Sequence, residues 1–542
     1  MPYKNPILPG FHPDPSICRV GEDYYLVNST FEFWPGIPIY HSKNLVDWKL
    51  IGHVLTRSSQ LSLSGVASSG GVWAPTIRHH EGKFYVIVNA LCYYQPGSWK
   101  TSRTFYCSTS DINSYGSWSE PIYVNQKGID PSLLFHDGKV YVTSQGVNND
   151  KDIFWGIYQS EIDIETGRHL TERKQLWKGH TYRGTSLERP EGPHLYYIDD
   201  WYYLLLAEGG TEERHMVTCA RSKEPYGPWE ACPGNPLVHH YPQSVEEQPI
   251  RCTGHGDLFQ DHLGDWWIVF LGTRRYPDTY DHLGRETFLA PVEWQDGWPV
   301  INKGNPVSLK MDVHRSLKQD GAKRDLGFED NFDHEELDKS FNFVRNPYPD
   351  TYSLTERPGW LRLNTSHISL GQTDSPSWVG RRQQSFRGEF RTLMDFKPKM
   401  REQEAGLTLH ANDYVHAEVA ITFTKEHGRS VFSRVWRSDL DDLDELNIDK
   451  KREILTYEAL NDDEPVELFI KAEPTTYSFG YKNSKSGECK VLGTMSTKWF
   501  KRTQPLRLHF TGVYAAMYCT DNGYSTLGHA DFDYFKVTAE ED

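Results

Sequence analysis

"DPSICRVGEDYY" (residues 14–25) sets a pattern that the chain repeats: an Asp-Pro pair, a few apolar residues, a tight turn, then an aromatic strand. "DPSLLFHDGKVY" begins again at Asp130, and looser copies start at Ala74 in "APTIRHHEGKFY", Glu191 in "EGPHLYYIDDWYY" and His255 in "HGDLFQDHLGDWW". The register is tight. Asp14, Ala74 and Asp130 each precede the aromatic residue after the turn (Tyr25, Tyr85, Tyr141) by eleven positions, and Glu191 and His255 precede theirs (Tyr203, Trp267) by twelve. Every copy runs on as an apolar strand, as in "YYLVNST" and "WWIVFLGT", and the intervening turns are rich in Gly and Asp, as tight hairpins require. More polar stretches holding a Trp follow, as in "HSKNLVDWKLIG", and read as outer strands of the same sheets. The copies start 60, 56, 61 and 64 residues apart, the spacing of a propeller repeat. The expected fold class is therefore all-β, a five-bladed β-propeller over residues 1–310. An irregular β-sandwich predicts no such register.

After "WQDGWPVINKGNPVSLK" the repeat stops, and a polar, charge-mixed linker runs from about Met311 to Arg324. "GWLRLNTS", "FRTLMDFKP", "AGLTLHAND", "HAEVAITFT", "VELFIKAE" and "LRLHFTGVYAAMYC" then alternate apolar and polar residues, which predicts a two-sheet β-sandwich over residues 325–542. The acidic run "DLDDLDELNIDK" lacks the D-x-D-x-D-G order of a calcium loop and reads as a solvated loop.

A length of 542 residues fits two domains, and a formal charge of −16 without Lys/Arg clusters disfavours nucleic acid or anionic lipid as partner. A neutral substrate fits better. Aromatic residues make up 13% of the chain, which suits strand-rich cores and also surfaces that stack on sugar rings. "MPYKNPILPGFHPDPS" has neither a basic segment nor an apolar run, and no stretch has membrane-spanning length, so a soluble, cytoplasmic protein is expected. Eight scattered cysteines with no C-x-x-C pair read as reduced, mostly buried thiols.

In a propeller the innermost strands start at the axis, so the five repeat heads converge on one cavity. Three of them, Asp14, Asp130 and Glu191, are acids. Blades three and four are neighbours, so Asp130 and Glu191 raise each other's pKa and Glu191 stays protonated, whereas Asp14, roughly opposite, stays ionised. An acid and a base across a wide pocket is the arrangement of inverting glycoside hydrolysis, where roughly 6.5–9.5 Å between carboxyls leaves room for water. Glu191 is then the general acid, Asp14 the general base, and Asp130 the residue that orients Glu191 and tunes its pKa. Arg285 in "HLGRETFLAP" is a candidate for bonding sugar hydroxyls and offsetting the carboxylates. Trp73 and Phe31 are candidate apolar walls for the sugar ring. His255 is open to three roles: a core histidine, a residue bonding a substrate-binding side chain, or a ligand for an axial cation. One His does not specify a metal, so no metal ligand set is assigned and no cofactor is required. "HH" at 79–80 falls in a hairpin turn and is expected to be exposed.

"NPILPGFHPDPSICR", "GIDPSLLF", "ERPEGPHLYY", "GHGDL" and "LGRETFL" together resemble glycoside hydrolase family 43, in particular its two-domain β-xylosidases, over nearly the whole chain. The resemblance implies an inverting exo-enzyme that removes terminal β-1,4-linked xylose from xylooligosaccharides, with side activity on α-L-arabinofuranosides. It implies the same three acid roles, Arg285 as the substrate-binding arginine with His255 as its neighbour, and a homotetramer. It also implies a sandwich loop that lays an aromatic over the pocket. "FTGVYAAM" resembles that loop, with Tyr514 as the aromatic. A pocket walled on all but one side admits only a terminal sugar, which accounts for exo action.

Three other functions compete. An α-L-arabinofuranosidase or arabinan-cleaving enzyme would keep the same acids. A sugar-binding propeller without catalysis would not need them, and a protein-binding scaffold would be indifferent to Glu191.

Overall fold

The computed structural model describes every residue except 1, 93–101, 148–154, 180–188, 245, 313, 316, 318–323, 438–451, 484–486 and 503–508. The acidic run "DLDDLDELNIDK" and much of the expected linker lie outside the described residues.

Five four-stranded antiparallel sheets occupy the first part of the chain, each strand bonded to the next in sequence order. Blade one consists of Ser16–Val20, Asp23–Val27, Gly36–Ser42 and Lys49–Leu55. The innermost strands of blades two to five are Gly71–His80, Ile129–His136, Glu191–Ile198 and Ile250–Gln260. A short N-terminal strand, Tyr3–Lys4, pairs with Lys310–Met311, so the start of the chain is sewn to the end of the propeller. The blades interlock beneath their hairpins: His80 stacks on Phe135 at 4.4 Å and His136 on Tyr197 at 3.9 Å. His79 and His80, expected in an exposed turn, instead end the strand, His79 against Phe84 and His80 against the next blade.

The innermost strands share a distortion. Pairing with the second strand skips register between Trp73 and Thr76, Ile129 and Ser132, Glu191 and His194, and Gly254 and Asp257. Within each skip one residue is left-handed: Ala74 (φ 41°), Asp130 (φ 54°), Gly192 (φ 55°) and His255 (φ 48°), matched in blade one by Asp14 (φ 51°). A bulge of this kind re-aims a side chain that the pleat would otherwise send along the blade face. Left-handed non-glycine residues cost about 1–3 kcal/mol each and persist where function holds them. The strand register also shows that blade four places Gly192, not Glu191, at the position of the other heads: Ser16, Thr76, Ser132, His194 and Asp257 follow at equal depth. Glu191 stands one residue earlier. The repeat's twelve-residue spacing in this blade therefore marks a displaced acid rather than a longer turn.

One layer deeper, the axis is closed by a polar hub. Asp257 accepts hydrogen bonds from Ser16 Oγ (2.6 Å), Arg78 Nη1 (2.8 Å) and Tyr196 OH (2.5 Å), which join blades one, two, four and five. Burial opposes the Asp257 charge, yet Arg78 and then His194 outweigh it and hold the carboxyl well below the usual range. The cation at this hub is a guanidinium.

The rest of the described chain is a β-sandwich of a nine-stranded and a six-stranded sheet. The six-stranded sheet runs in the order Ser377–Arg382, Tyr514–Thr520, Glu404–Asn412, Val415–Thr424, Gly428–Arg437 and Arg452–Ala459. Alternation explains the packing: Leu407, Leu409, Val419 and Ile421 fill the core between the sheets, and Trp378, Tyr514 and Phe432 on the opposite face are buried with propeller residues Phe11, Phe31 and Phe33. The two parts are further joined by pairing of Phe343–Val344 with Phe33–Trp34. Of "LRLHFTGVYAAMYC", the strand begins only at Tyr514, and Phe510–Val513 is a loop that runs against the propeller.

Candidate active site

Asp14, Asp130 and His255, which share a phase in the repeat, meet at the axis with Glu191, one residue ahead of that phase, and with Arg285. Asp14 Oδ1 accepts from Arg285 Nη1 at 3.0 Å and lies 3.7 Å from His255 Nδ1, and its Oδ2 accepts from Ser29 Oγ at 2.6 Å. Ser29 is held in turn by the backbone N–H of Ala74, which donates to its Oγ at 2.6 Å. Blade two's head, which carries no functional group, thus fixes the serine through its main chain. Asp130 Oδ2 accepts from the Gly192 N–H at 3.0 Å, so the third head is bonded to the residue beside Glu191. A side chain at Gly192 would be strained: the residue is left-handed, and a Cβ there would sit 3.1 Å from three atoms of the His255 ring, which would have to give way.

The electrostatics separate the acids. Burial pushes the Asp14 carboxyl up, but Arg285, then His255 and the Ser29 hydroxyl, overcome it and hold the group below the ordinary carboxylate value. Glu191 feels Arg285 too, but less than it feels burial and its acidic neighbours. Burial, reinforced by the charges of Asp130 and Asp14, pushes its pKa up to about 8, and burial also raises Asp130. At neutral pH the site therefore holds an ionised carboxylate able to take a proton from water and a protonated carboxylic acid able to give one to a leaving oxygen.

The aromatic wall differs from expectation in one member. Phe31 and Trp73 do pack together, at 5.5 Å between ring centroids. Tyr514, expected over the pocket, is instead fully buried, stacked on Phe33 at 4.0 Å and set edge-on to Phe11. The sandwich residue at the site is Phe510, four positions earlier. It stacks on Phe31 at 5.7 Å, meets Trp73 edge-on at 5.1 Å, and with Phe31 brackets the Arg285 guanidinium, each ring 5.4 Å from it. The physical reason is pairing: Tyr514 opens a strand bonded to Ser377–Arg382 and Glu404–Asn412 and points into the domain interface, whereas Phe510 precedes that strand and is free to reach the propeller. Half-buried Phe510 heads the "FTGVYAAM" segment, so the resemblance marks the right segment and the wrong ring within it.

Two further residues had no sequence signal. Ser29 lies two residues beyond the end of the strand Asp23–Val27, and Thr211, whose Oγ1 lies 3.4 Å from Arg285 Nη1, sits in a loop that no repeat marks. Phe510→Ala is expected to raise KM on xylosides about tenfold, because one face of the Arg285 bracket and the ring wall are lost, whereas Tyr514→Phe leaves KM within about twofold. Steady-state kinetics on a nitrophenyl xyloside checks the contrast.

Comparison with known proteins agrees with this architecture. The family model for glycosyl hydrolases family 43 matches residues 3–299, and that for the beta xylosidase C-terminal Concanavalin A-like domain matches residues 329–538. The chain is 40% identical over 540 residues (98% of this chain, 94% of the relative) to the non-reducing end alpha-L-arabinofuranosidase BoGH43B of Bacteroides ovatus. It is 34% identical over 555 residues (99% of each chain) to a beta-xylosidase of Bacillus subtilis. Among solved structures, the xylan beta-1,4-xylosidase of Bacillus halodurans superposes with a TM-score of 0.89 at 34% identity, covering 99% of this chain and 100% of that one. With its propeller and its sandwich both matched in order, the chain belongs to glycosyl hydrolase family 43 and is a glycoside hydrolase.

Proposed function

We propose that the protein is an inverting exo-β-xylosidase that releases terminal D-xylose from β-1,4-linked xylooligosaccharides. The observation that carries this reading is the divergence of two carboxyls brought together at the axis, buried Asp14 held low by Arg285 and half-buried Glu191 raised to about 8. Glu191 protonates the glycosidic oxygen as the bond to the anomeric carbon breaks. Asp14 takes a proton from the water that attacks the same carbon from the opposite face, and the released sugar has inverted configuration. Asp130 acts by position and charge, holding the main chain at Gly192 and opposing ionisation of Glu191. Arg285 fixes Asp14 and, with His255, Phe31, Trp73 and Phe510, receives the terminal sugar.

A second reading, α-L-arabinofuranosidase, is favoured by the name of the 40% identical relative, and the same acids would serve it. Proton NMR of the first-formed anomer from xylobiose tests the main reading: α-xylose is expected, and β-xylose as first product overturns inversion. Parallel rates on nitrophenyl xyloside and nitrophenyl arabinofuranoside rank the two activities.

No cofactor is part of this proposal, since both transfers are proton transfers between carboxyls and substrate. A reducing, intracellular setting is supported by eight free thiols, seven of them buried. No helix among the described residues is long and apolar enough to cross a membrane. A homotetramer remains part of the proposal on family likeness, and light scattering tests it.

A further inference from the structure

In a site that takes only a terminal sugar, as proposed, the acid marks a boundary. The terminal sugar lies on the side of Asp14 and Arg285, both 5% exposed, and the leaving sugar must lie beyond Glu191 toward solvent. Two chain segments emerge at that end of blade four. One is Arg189–Pro190, directly ahead of the acid; the other is the loop after Trp201–Glu208, because Glu191 pairs with Ala207 across the hairpin. The loop spans the site from floor to rim: Thr211 touches Arg285, and the next residue, Glu212, has its Oε2 3.7 Å from Arg189 Nη1.

This pair differs from an incidental surface contact in three ways. Arg189 is a left-handed non-glycine residue (φ 41°), so the backbone is strained where the side chain is presented. The pair closes over Gly210, itself at φ +74°, where a Cβ would lie 2.7 Å from Glu212 Oε2 and 2.8 Å from Arg189 Nη1. Glu212 is also near enough to Glu191 to oppose its ionisation. Both side chains remain accessible, at 44% and 42%, and at 3.7 Å the two heads retain hydrogen-bonding capacity.

From these placements we infer that Arg189 and Glu212 form the rim subsite that grips the hydroxyls of the leaving xylosyl residue. The carboxylate accepts from a vicinal hydroxyl pair and the guanidinium donates to a neighbouring sugar oxygen, chemistry that an aryl leaving group cannot answer. The inference rests on the proposed xylosidase reading.

Arg189→Ala and Glu212→Gln test it through the ratio of kcat/KM on xylobiose to kcat/KM on nitrophenyl xyloside, measured beside the unmodified protein. Each variant is expected to lower that ratio about tenfold, the size of one lost charge-assisted hydrogen bond. A purely structural role depresses both substrates together, and one confined to tuning Glu191 lowers the ratio through kcat with a displaced alkaline limb, so the expected loss lies in KM for xylobiose with the limb of Arg189→Ala unmoved. Ratios within about twofold of the unmodified protein in both variants, or a loss confined to kcat, overturn the inference. Failure of the unmodified protein to release xylose from xylobiose overturns the xylosidase reading and the inference with it. Normal release with unchanged ratios overturns the inference alone.

Discussion

Glu191→Ala is expected to lower kcat on xylobiose by about 10²–10⁴-fold, the usual worth of a positioned general acid. The loss should shrink on substrates with activated leaving groups such as nitrophenyl xyloside, which depart with little protonation. The pH profile supplies a second signature. The acid must carry its proton, so kcat/KM of the native enzyme falls as pH rises past about 8, the value to which burial and the neighbouring charges lift Glu191. In the variant that alkaline limb disappears. An equal loss on xylobiose and nitrophenyl xyloside, with the limb intact, would falsify the acid assignment.

Asp14→Asn should cost a similar factor, about 10²–10⁴-fold, but with the opposite leaving-group behaviour. An amide keeps the shape and can still meet Ser29, yet it cannot accept a proton from water. A better leaving group does nothing for that step, so the defect should be as deep on nitrophenyl xyloside as on xylobiose. The substitution also removes the countercharge of Arg285, whose Nη1 donates to this carboxylate from a buried position, and a lowered thermal midpoint should accompany the kinetic loss. Near-native turnover in Asp14→Asn removes the base from the mechanism.

The fold was legible because its signal is periodic. Five turn-and-strand phrases in register specify five hairpins, and hairpins in a closed ring fix which residues face the axis. The acids were legible for the same reason, but their differing ionisation only in part: neighbouring Asp130 helps to raise Glu191 as expected, whereas Asp14 is held low by Arg285 and His255. Two things escaped. Blade four places its acid one residue ahead of the common position, a shift visible only when the Pro193 that follows Gly192 is aligned with Pro15, Pro75 and Pro131 instead of aligning the carboxylates. The sandwich contribution escaped because a loop has no period: whether Phe510 or Tyr514 reaches the propeller depends on where strand pairing begins, which is a tertiary matter. Arg78 was passed over for a related reason. It lies midway along an ordinary strand, and only ring closure brings it to Asp257, 179 residues away.

Ring closure also dictates when during synthesis the enzyme becomes an enzyme. Asp14 leaves the ribosome early, but the guanidinium that holds it ionised comes 271 residues later, and Phe510 later still. A nascent chain bearing four blades has both Asp14 and Glu191 yet neither the Asp257 clasp nor Arg285. Such a fragment is expected to be catalytically silent, with hydrolysis appearing only once the last blade has docked against the first.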